Sequence, residues 1–215
     1  MYGGWGYSDR SSTGEGHLRD FWTFNPANLQ FTWIAGPSAN TTTPVYGTLG
    51  TGSVSNGPKA RGLYSSAVDA SGNFWMFGGE GPSIYGSNSS QNDLWKYSPT
   101  DGKWTWMSGP IDSALPGVYG TKGTGSTANY PGARYGASMW ADSSGYIWLF
   151  GGEGHDSADN YGQLNDLWKF EIATSKWTWV GGSNVMNQTA TYGTDRKSTR
   201  LNSSHTDISR MPSSA

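Results

Sequence analysis

Asp93-Leu-Trp-Lys-Tyr97, followed by Trp104-Thr-Trp106, is one of three copies of a single pattern. It occurs earlier as Asp20-Phe-Trp-Thr-Phe24 with Phe31-Thr-Trp33. It occurs later as Asp166-Leu-Trp-Lys-Phe170 with Trp177-Thr-Trp179. Tyr46-Gly-Thr48, Tyr119-Gly-Thr121 and Tyr192-Gly-Thr194 keep the same interval, and each copy lies 73 residues from the last. Self-similarity at a fixed period means one supersecondary unit stacked on copies of itself.

One copy reads as four short strands. Tyr135 to Ala141 is a run of small and aromatic residues, and Asp142-Ser-Ser-Gly145 is a turn cluster. Tyr146-Ile-Trp-Leu-Phe150 is continuously apolar, as expected of a strand covered on both faces, and it is expected to end at Gly151-Gly152. A polar loop, 153–165, follows. Leu167-Trp-Lys-Phe170 is the third strand, and Trp177-Thr-Trp-Val180 alternates as the fourth with both Trp on one face. The copy from Arg61 repeats this plan. Apolar residues do not recur at helical spacing over any long window. The unit is therefore a four-stranded antiparallel sheet, apolar on both sides, which cannot bury both faces unless neighbours stack against it.

Gly78-Gly79 after an apolar strand, then Trp95 and Tyr97, then Trp104, resembles the kelch repeat; Gly151-Gly152, Trp168, Phe170 and Trp177 follow the same scheme. The resemblance covers residues 1–194, and Arg134 recurs in register with Arg61. Within that family the chain is most similar to bacterial Trp- and Gly-rich repeat proteins with long blades, related in fold to the propeller of galactose oxidase. The resemblance implies an all-β partial kelch-type β-propeller of two complete blades and one partial blade. Residues 1–60 would be a partial blade and linker, 61–133 a complete blade and linker, and 134–194 a complete blade with a truncated linker. Two features depart from the family pattern. The period exceeds the usual ~50 residues, and the aromatic after the double Gly is a Trp-x-aromatic pair.

The chain is expected to be cut at both ends. Met1-Tyr-Gly-Gly4 matches Met76-Phe-Gly-Gly79, so the first copy begins inside a strand. After Thr194 the aromatic and Gly residues stop. Asp195 to His205 and Ser209 to Ala215 resemble the translation of a sequencing-library adapter, with Thr206 to Ile208 falling on its variable index. Residues 195–215 are accordingly set aside as a non-native tail.

Residues 1–194 hold 10 Lys/Arg and 14 Asp/Glu, a net charge of −4 with His neutral. A mildly acidic chain without a basic run argues against nucleic acid as partner. Absence of Cys excludes disulfides and thiol catalysis. No apolar run approaches the ~18 residues of a membrane helix; Phe74-Trp-Met-Phe77 is strand length.

Strand direction alternates, so the long segments 80–92, 107–134 and 153–165 are expected on a single face, where a rigid scaffold presents binding groups. Glu80 and Glu153, both in Gly-Gly-Glu-Gly, can bind sugar hydroxyls or a cation; the structural alternative, favoured here, is a blade-to-blade ion pair with Arg61 or Arg134. His155 and Asp156, with Asp159, Asn160 and Asp166, form an oxygen-rich cluster, but the spacing is not that of an EF-hand, and a polar turn accounts for it. Tyr85, Tyr119, Tyr130 and Tyr161 are the loop aromatics expected to stack on sugar, whereas the strand Trp residues belong to the core. No metal, cofactor or catalytic set is expected.

The expected function is a non-catalytic scaffold that binds a protein or a glycan, completed by further blades of a longer chain, outside the cell or in its envelope. The alternative is a fragment of a galactose oxidase-like or sialidase-like enzyme whose site lies in other blades. Two tests follow. The codons for 195–215 should match the adapter; different codons remove that reading. Residues 1–194, with an apolar face bare at each end, should aggregate or fold poorly; a monodisperse monomer with a sharp thermal transition would contradict this.

Overall fold

The structure, a computed structural model, describes residues 1–7, 15–37, 43–82 and 88–190. Fourteen strands and no helix occur among them. The first sheet contains β1 (Tyr2–Gly6), β2 (Gly16–Asn25) and β3 (Gln30–Ala35), in that order. The second contains β4 (Ser65–Val68), β5 (Phe74–Phe77), β8 (Leu94–Ser98) and β9 (Lys103–Ser108), again in chain order, with β6 (Glu80–Pro82) and β7 (Asn88–Ser90) paired as a separate hairpin. The third contains β10 (Arg134–Tyr135), β11 (Ser138–Ala141), β12 (Tyr146–His155), β13 (Tyr161–Glu171) and β14 (Lys176–Gly181). All pairings are antiparallel.

The period-2 alternation of strands divides each central strand between two cores. In β5, Trp75 and Phe77 point towards the third sheet and join Ile147, Leu149, Trp168, Phe170 and Trp177 in one cluster. Met76 points the other way and joins Trp95, Tyr97 and Trp104 against Tyr2 and Phe21 of the first sheet. The second sheet is thus the filling between its neighbours. Trp75, Trp95, Trp168 and Trp177 are completely buried, and truncating any of them costs about 3–5 kcal/mol. Their rings meet edge-on or tilted, as in Trp168–Trp177 at 6.2 Å and 87°, the arrangement aromatic quadrupoles favour.

Turn chemistry closes the first two strands of each complete copy. Asp142 Oδ1 accepts the backbone N–H of Ser144 and Tyr146, and Oδ2 accepts Trp148 Nε1. Asp69 does the same for Ser71, Asn73 and Trp75. One carboxylate therefore fixes both the turn and the indole of the Trp that follows it on the next strand.

One expectation about the strands needs correction. The second strand does not stop at Gly151-Gly152. These residues have φ of 65° and 94°, a region that disfavours any side chain, and they form a bulge after which the ladder resumes. Segment 153–165 is therefore mostly a hairpin, with Glu153↔Gln163 and His155↔Tyr161 as rungs. The same continuation gives Trp5↔His17 and Glu80↔Ser90. Segment 107–134, in which Tyr119-Gly-Thr121 and Pro131, Ala133 and Arg134 recur in register as a partly packed linker would, lies against the following sheet. Gly123 and Ser126 donate backbone bonds to Trp179 and Trp177 carbonyls, and Asn129 Nδ2 adds another to Trp177. Gly50, Ser53 and Asn56 repeat this on Trp106 and Trp104. Each linker covers the free edge of the following sheet, which would otherwise invite pairing with other chains.

The favoured partners of the two arginines also differ from expectation. Arg61 and Arg134 pair with Asp93 and Asp166, not with Glu80 and Glu153. Arg134 Nη1 lies 2.6 Å from Asp166 Oδ1 and Nη2 2.8 Å from Oδ2, with both side chains fully buried. Arg61 and Asp93 match at 2.5 and 2.8 Å. The Asp sits at the start of the third strand, directly below the bulge, where a planar fork can reach it bidentately. Each Asp also accepts from the Trp two residues on, and from the hydroxyl of the linker tyrosine, Tyr46 or Tyr119. Burial pushes both carboxyls up, but the adjacent guanidinium and these donors outweigh it and hold them below the usual carboxylate range.

The sign of the pH effect follows. A carboxyl with a lowered folded pKa stabilises fully above its unfolded value near ~3.9 and ceases to as pH falls through the folded value. The urea midpoint should therefore be flat near neutrality and fall steeply below about pH 4. Tyr119→Phe should cost about 1.5–3 kcal/mol, because a buried bond to a charged group is lost. Equilibrium unfolding checks both, and an acid-insensitive midpoint would contradict the assignment.

Candidate functional site

Beyond the bulge, the β12–β13 hairpin projects a small group of polar and aromatic side chains. Its base is held by Arg134↔Gly154 and Tyr135↔Glu153 pairing to β10. Its tip, 156–160, is held by Asp156. That carboxylate is buried at 1% exposure and accepts the backbone N–H groups of Ala158, Asn160 and Met186. Burial raises its pKa, but these donors prevail and leave it lowered. Asp156 is thus a cap that ties the tip to the segment after β14, and no ligand need be invoked for it.

The remaining groups surround Tyr161. Tyr161 is 47% exposed, and its ring lies 5.4 Å from the His155 ring at 76°. Its hydroxyl donates to Tyr135 Oη at 3.0 Å, and desolvation together with that bond pushes its pKa above the ordinary phenol value. His155 Nδ1 meets Asp159 Oδ1 at 2.8 Å. Two rungs inward, Gln163 Nε2 donates to Glu153 Oε2 at 2.8 Å. The result is a half-open aromatic face with a carboxylate, a carboxamide and an imidazole within a few rungs. A shallow cleft of about 530 Å³ lined by Lys122, Trp179 and Asn184 adjoins it, joined to the hairpin tip by the Asn184–Ser157 hydrogen bonds.

The other sequence-selected residues are distributed differently. Tyr119 is not a displayed aromatic: it is 5% exposed, and its ring lies 4.7 Å from Trp168. Tyr130 is partly buried against the same core. Both rings are used by the linker to seal the following sheet. Glu80 is half-buried on the preceding hairpin and acts on His17 of the first sheet, whose pKa burial lowers and Glu80 partly restores. Tyr85 lies outside the described residues, as do 191–215. Gly78, Gly79, Gly151, Gly152, Trp95, Trp104, Arg134, Trp168 and Trp177 are buried parts of the bulge, clamp and core.

Sequence reasoning passed over Tyr135 and Gln163 as site residues. A signal existed in the repeat itself. Tyr135 stands where the preceding copy has Gly62, Gln163 where it has Ser90, Tyr161 where it has Asn88, and His155 where it has Pro82. The clamp residues repeat, whereas the hairpin rungs change from copy to copy. On the first hairpin the rung holds Trp5 against His17 at 4.8 Å, with Trp5 Nε1 donating to Glu15.

Among the described residues no group of three or more His, Asp and Glu has a metal-binding arrangement, and no helix is long and apolar enough to cross a membrane. No protein-family model matches the chain, and no curated protein does. Among solved structures, the structure of YjhT aligns at 17% identity with a TM-score of 0.47, over 81% of this chain and 48% of that one. The chain thus spans about half the length of that structure, and at this level of similarity it is assigned to no family.

Proposed function

We propose that the chain is an arc of a kelch-type β-propeller that binds a glycan, without chemistry, through the hairpins beyond its double-Gly bulges. The observation that carries this reading is the exposed Tyr161 ring on a rigid hairpin, flanked by Glu153, Gln163 and His155. A sugar offers a C–H face to stack on an aromatic ring and vicinal hydroxyls to hydrogen-bond a carboxylate and a carboxamide together. Glu153 and Gln163, already joined to each other, present their remaining oxygens and N–H in fixed directions. Preorganisation of this kind limits the ordering cost of binding. Placement a few rungs above a buried ion pair supports it further, since sites built on regular elements hold their geometry better than loops.

A panel of neutral and acidic oligosaccharides, titrated by intrinsic fluorescence, tests the proposal. Tyr161→Ala should weaken the bound sugar about tenfold, in line with the loss of one aromatic contact. Replacing 153–165 by a short turn should abolish binding. Unchanged affinity in both variants, or binding by proteins but by no saccharide, would overturn the glycan assignment.

A further inference from the structure

The cleft beside the hairpin tip differs from its counterpart in the preceding copy at several positions together. Trp179 and Gly182 keep the Trp106 and Gly109 of that copy. Lys122, however, stands where the preceding copy has Leu49, Asn184 where it has Ile111, Gln188 where it has Leu115, and Thr189 where it has Pro116. Four apolar positions thus become one cation and three hydrogen-bonding groups around an unchanged frame. This surface is open in the interior of the repeat as well: with a following sheet in place, Leu49 and Ile111 are still 53% and 45% exposed. Lys122 is held in position. Its Nζ stands 4.2 Å from the centre of the Trp179 ring and donates to the Gly182 carbonyl at 2.9 Å. None of the described residues lining the cleft is acidic, and Lys122 forms no ion pair with a described residue.

We infer that this cleft takes the carboxylate of an acidic saccharide, on a uronic-acid residue next to the one stacked on Tyr161; the inference rests on the glycan reading above. The cleft and the Tyr161 site share one piece of backbone. Ser183 and Asn184 line the cleft, and Asn184 exchanges hydrogen bonds with Ser157 at the hairpin tip. Three residues on, the Asn187 N–H donates to the Gln163 carbonyl, and Asn187 Oδ1 accepts the Gln163 N–H. A short saccharide chain laid across 183–187 therefore meets both sites. An ammonium has three N–H donors, and a carboxylate carries the single charge that matches this single cation. Asn184, Gln188 and Thr189 supply the neutral donors and acceptors that ring hydroxyls need. The contact with the Trp179 ring holds the ammonium without neutralising it, so its charge stays available to an anion, where a salt bridge would have consumed it. Holding the side chain in advance also reduces the rotamer entropy that a lysine otherwise loses on binding.

A matched pair of ligands tests the inference: an oligogalacturonate, and the same oligomer with its carboxyls reduced to alcohols, each titrated against the full chain by intrinsic fluorescence. The wild-type protein should bind the acidic oligomer at least about tenfold more tightly, and that advantage should shrink as salt is raised. Lys122→Leu installs a side chain that this fold already carries at the equivalent position of the preceding copy. It should bring the acidic oligomer down to the affinity of the reduced one, whereas Lys122→Arg should keep the preference. Equal affinity of the wild type for both oligomers, a preference that survives Lys122→Leu, or no binding of either oligomer would each overturn the inference. The first two of these results leave saccharide binding at Tyr161 standing. Binding of the acidic oligomer that is lost in Lys122→Leu but untouched by Tyr161→Ala would instead support the cleft and remove Tyr161 as the stacking ring, so the two readings fail separately.

Discussion

Arg61 and Arg134 each join two sheets, and the rest of the architecture is arranged about them. The backbone of Arg134, in β10, also reaches the preceding sheet: its N–H donates to the Gln91 carbonyl and its carbonyl accepts from the Gly79 N–H. Its side chain belongs to the following sheet, where Nη1 also donates to Gly151 at 3.0 Å and both Nη atoms hold Asp166. Arg61 does the same between Leu18 and Gly4 on one side and Gly78 and Asp93 on the other. A charge that deep in the protein is tolerable only when its partner and remaining donors are all satisfied, and here Nε is used as well, on Lys59 and Gly132 carbonyls. The linker tyrosine completes the enclosure, which ties linker, bulge, third strand and neighbouring sheet into one unit.

That constraint explains the double glycine. The bulge turns the Gly78 and Gly151 carbonyls onto the guanidinium. A Cβ at Gly79 would stand 2.6 Å from the Gly62 carbonyl, and one at Gly152 2.7 Å from that of Tyr135. Past the bulge the ladder resumes in a new register and becomes a projecting hairpin. The candidate site thus stands a few rungs above a buried ion pair, while its own rungs vary from copy to copy.

The sequence carried the strand order, the two-faced apolar character of each sheet and the period, because these depend on local alternation and on repetition. The clamp was also present in it: Asp20, Asp93 and Asp166 all precede a Trp by two residues, whereas Glu80 and Glu153 have Trp5 in the first copy. That regularity, absent from the Glu positions, marks the Asp as the ion partner. The hairpin could not be read so directly, since a polar stretch after Gly-Gly looks like a loop until the bulge geometry is known. Nor could the burial of Tyr119, whose hydroxyl is spent on an Asp 47 residues away. The exposed ring of Tyr161 and the buried ring of Tyr119 are both tyrosines in polar, Gly-containing surroundings, and tertiary contact alone separates them.

The most direct test of this account is a double-mutant cycle on the clamp, with Arg134→Met, Asp166→Leu and the pair together, read by urea unfolding at neutral pH. Each single change strands a buried charge, so each should cost about 3–5 kcal/mol. The double variant strands none and should recover at least about 2 kcal/mol of the summed loss. Additivity within about 0.5 kcal/mol would mean that the two side chains do not act as one interaction, and the clamp would not be what holds successive sheets together.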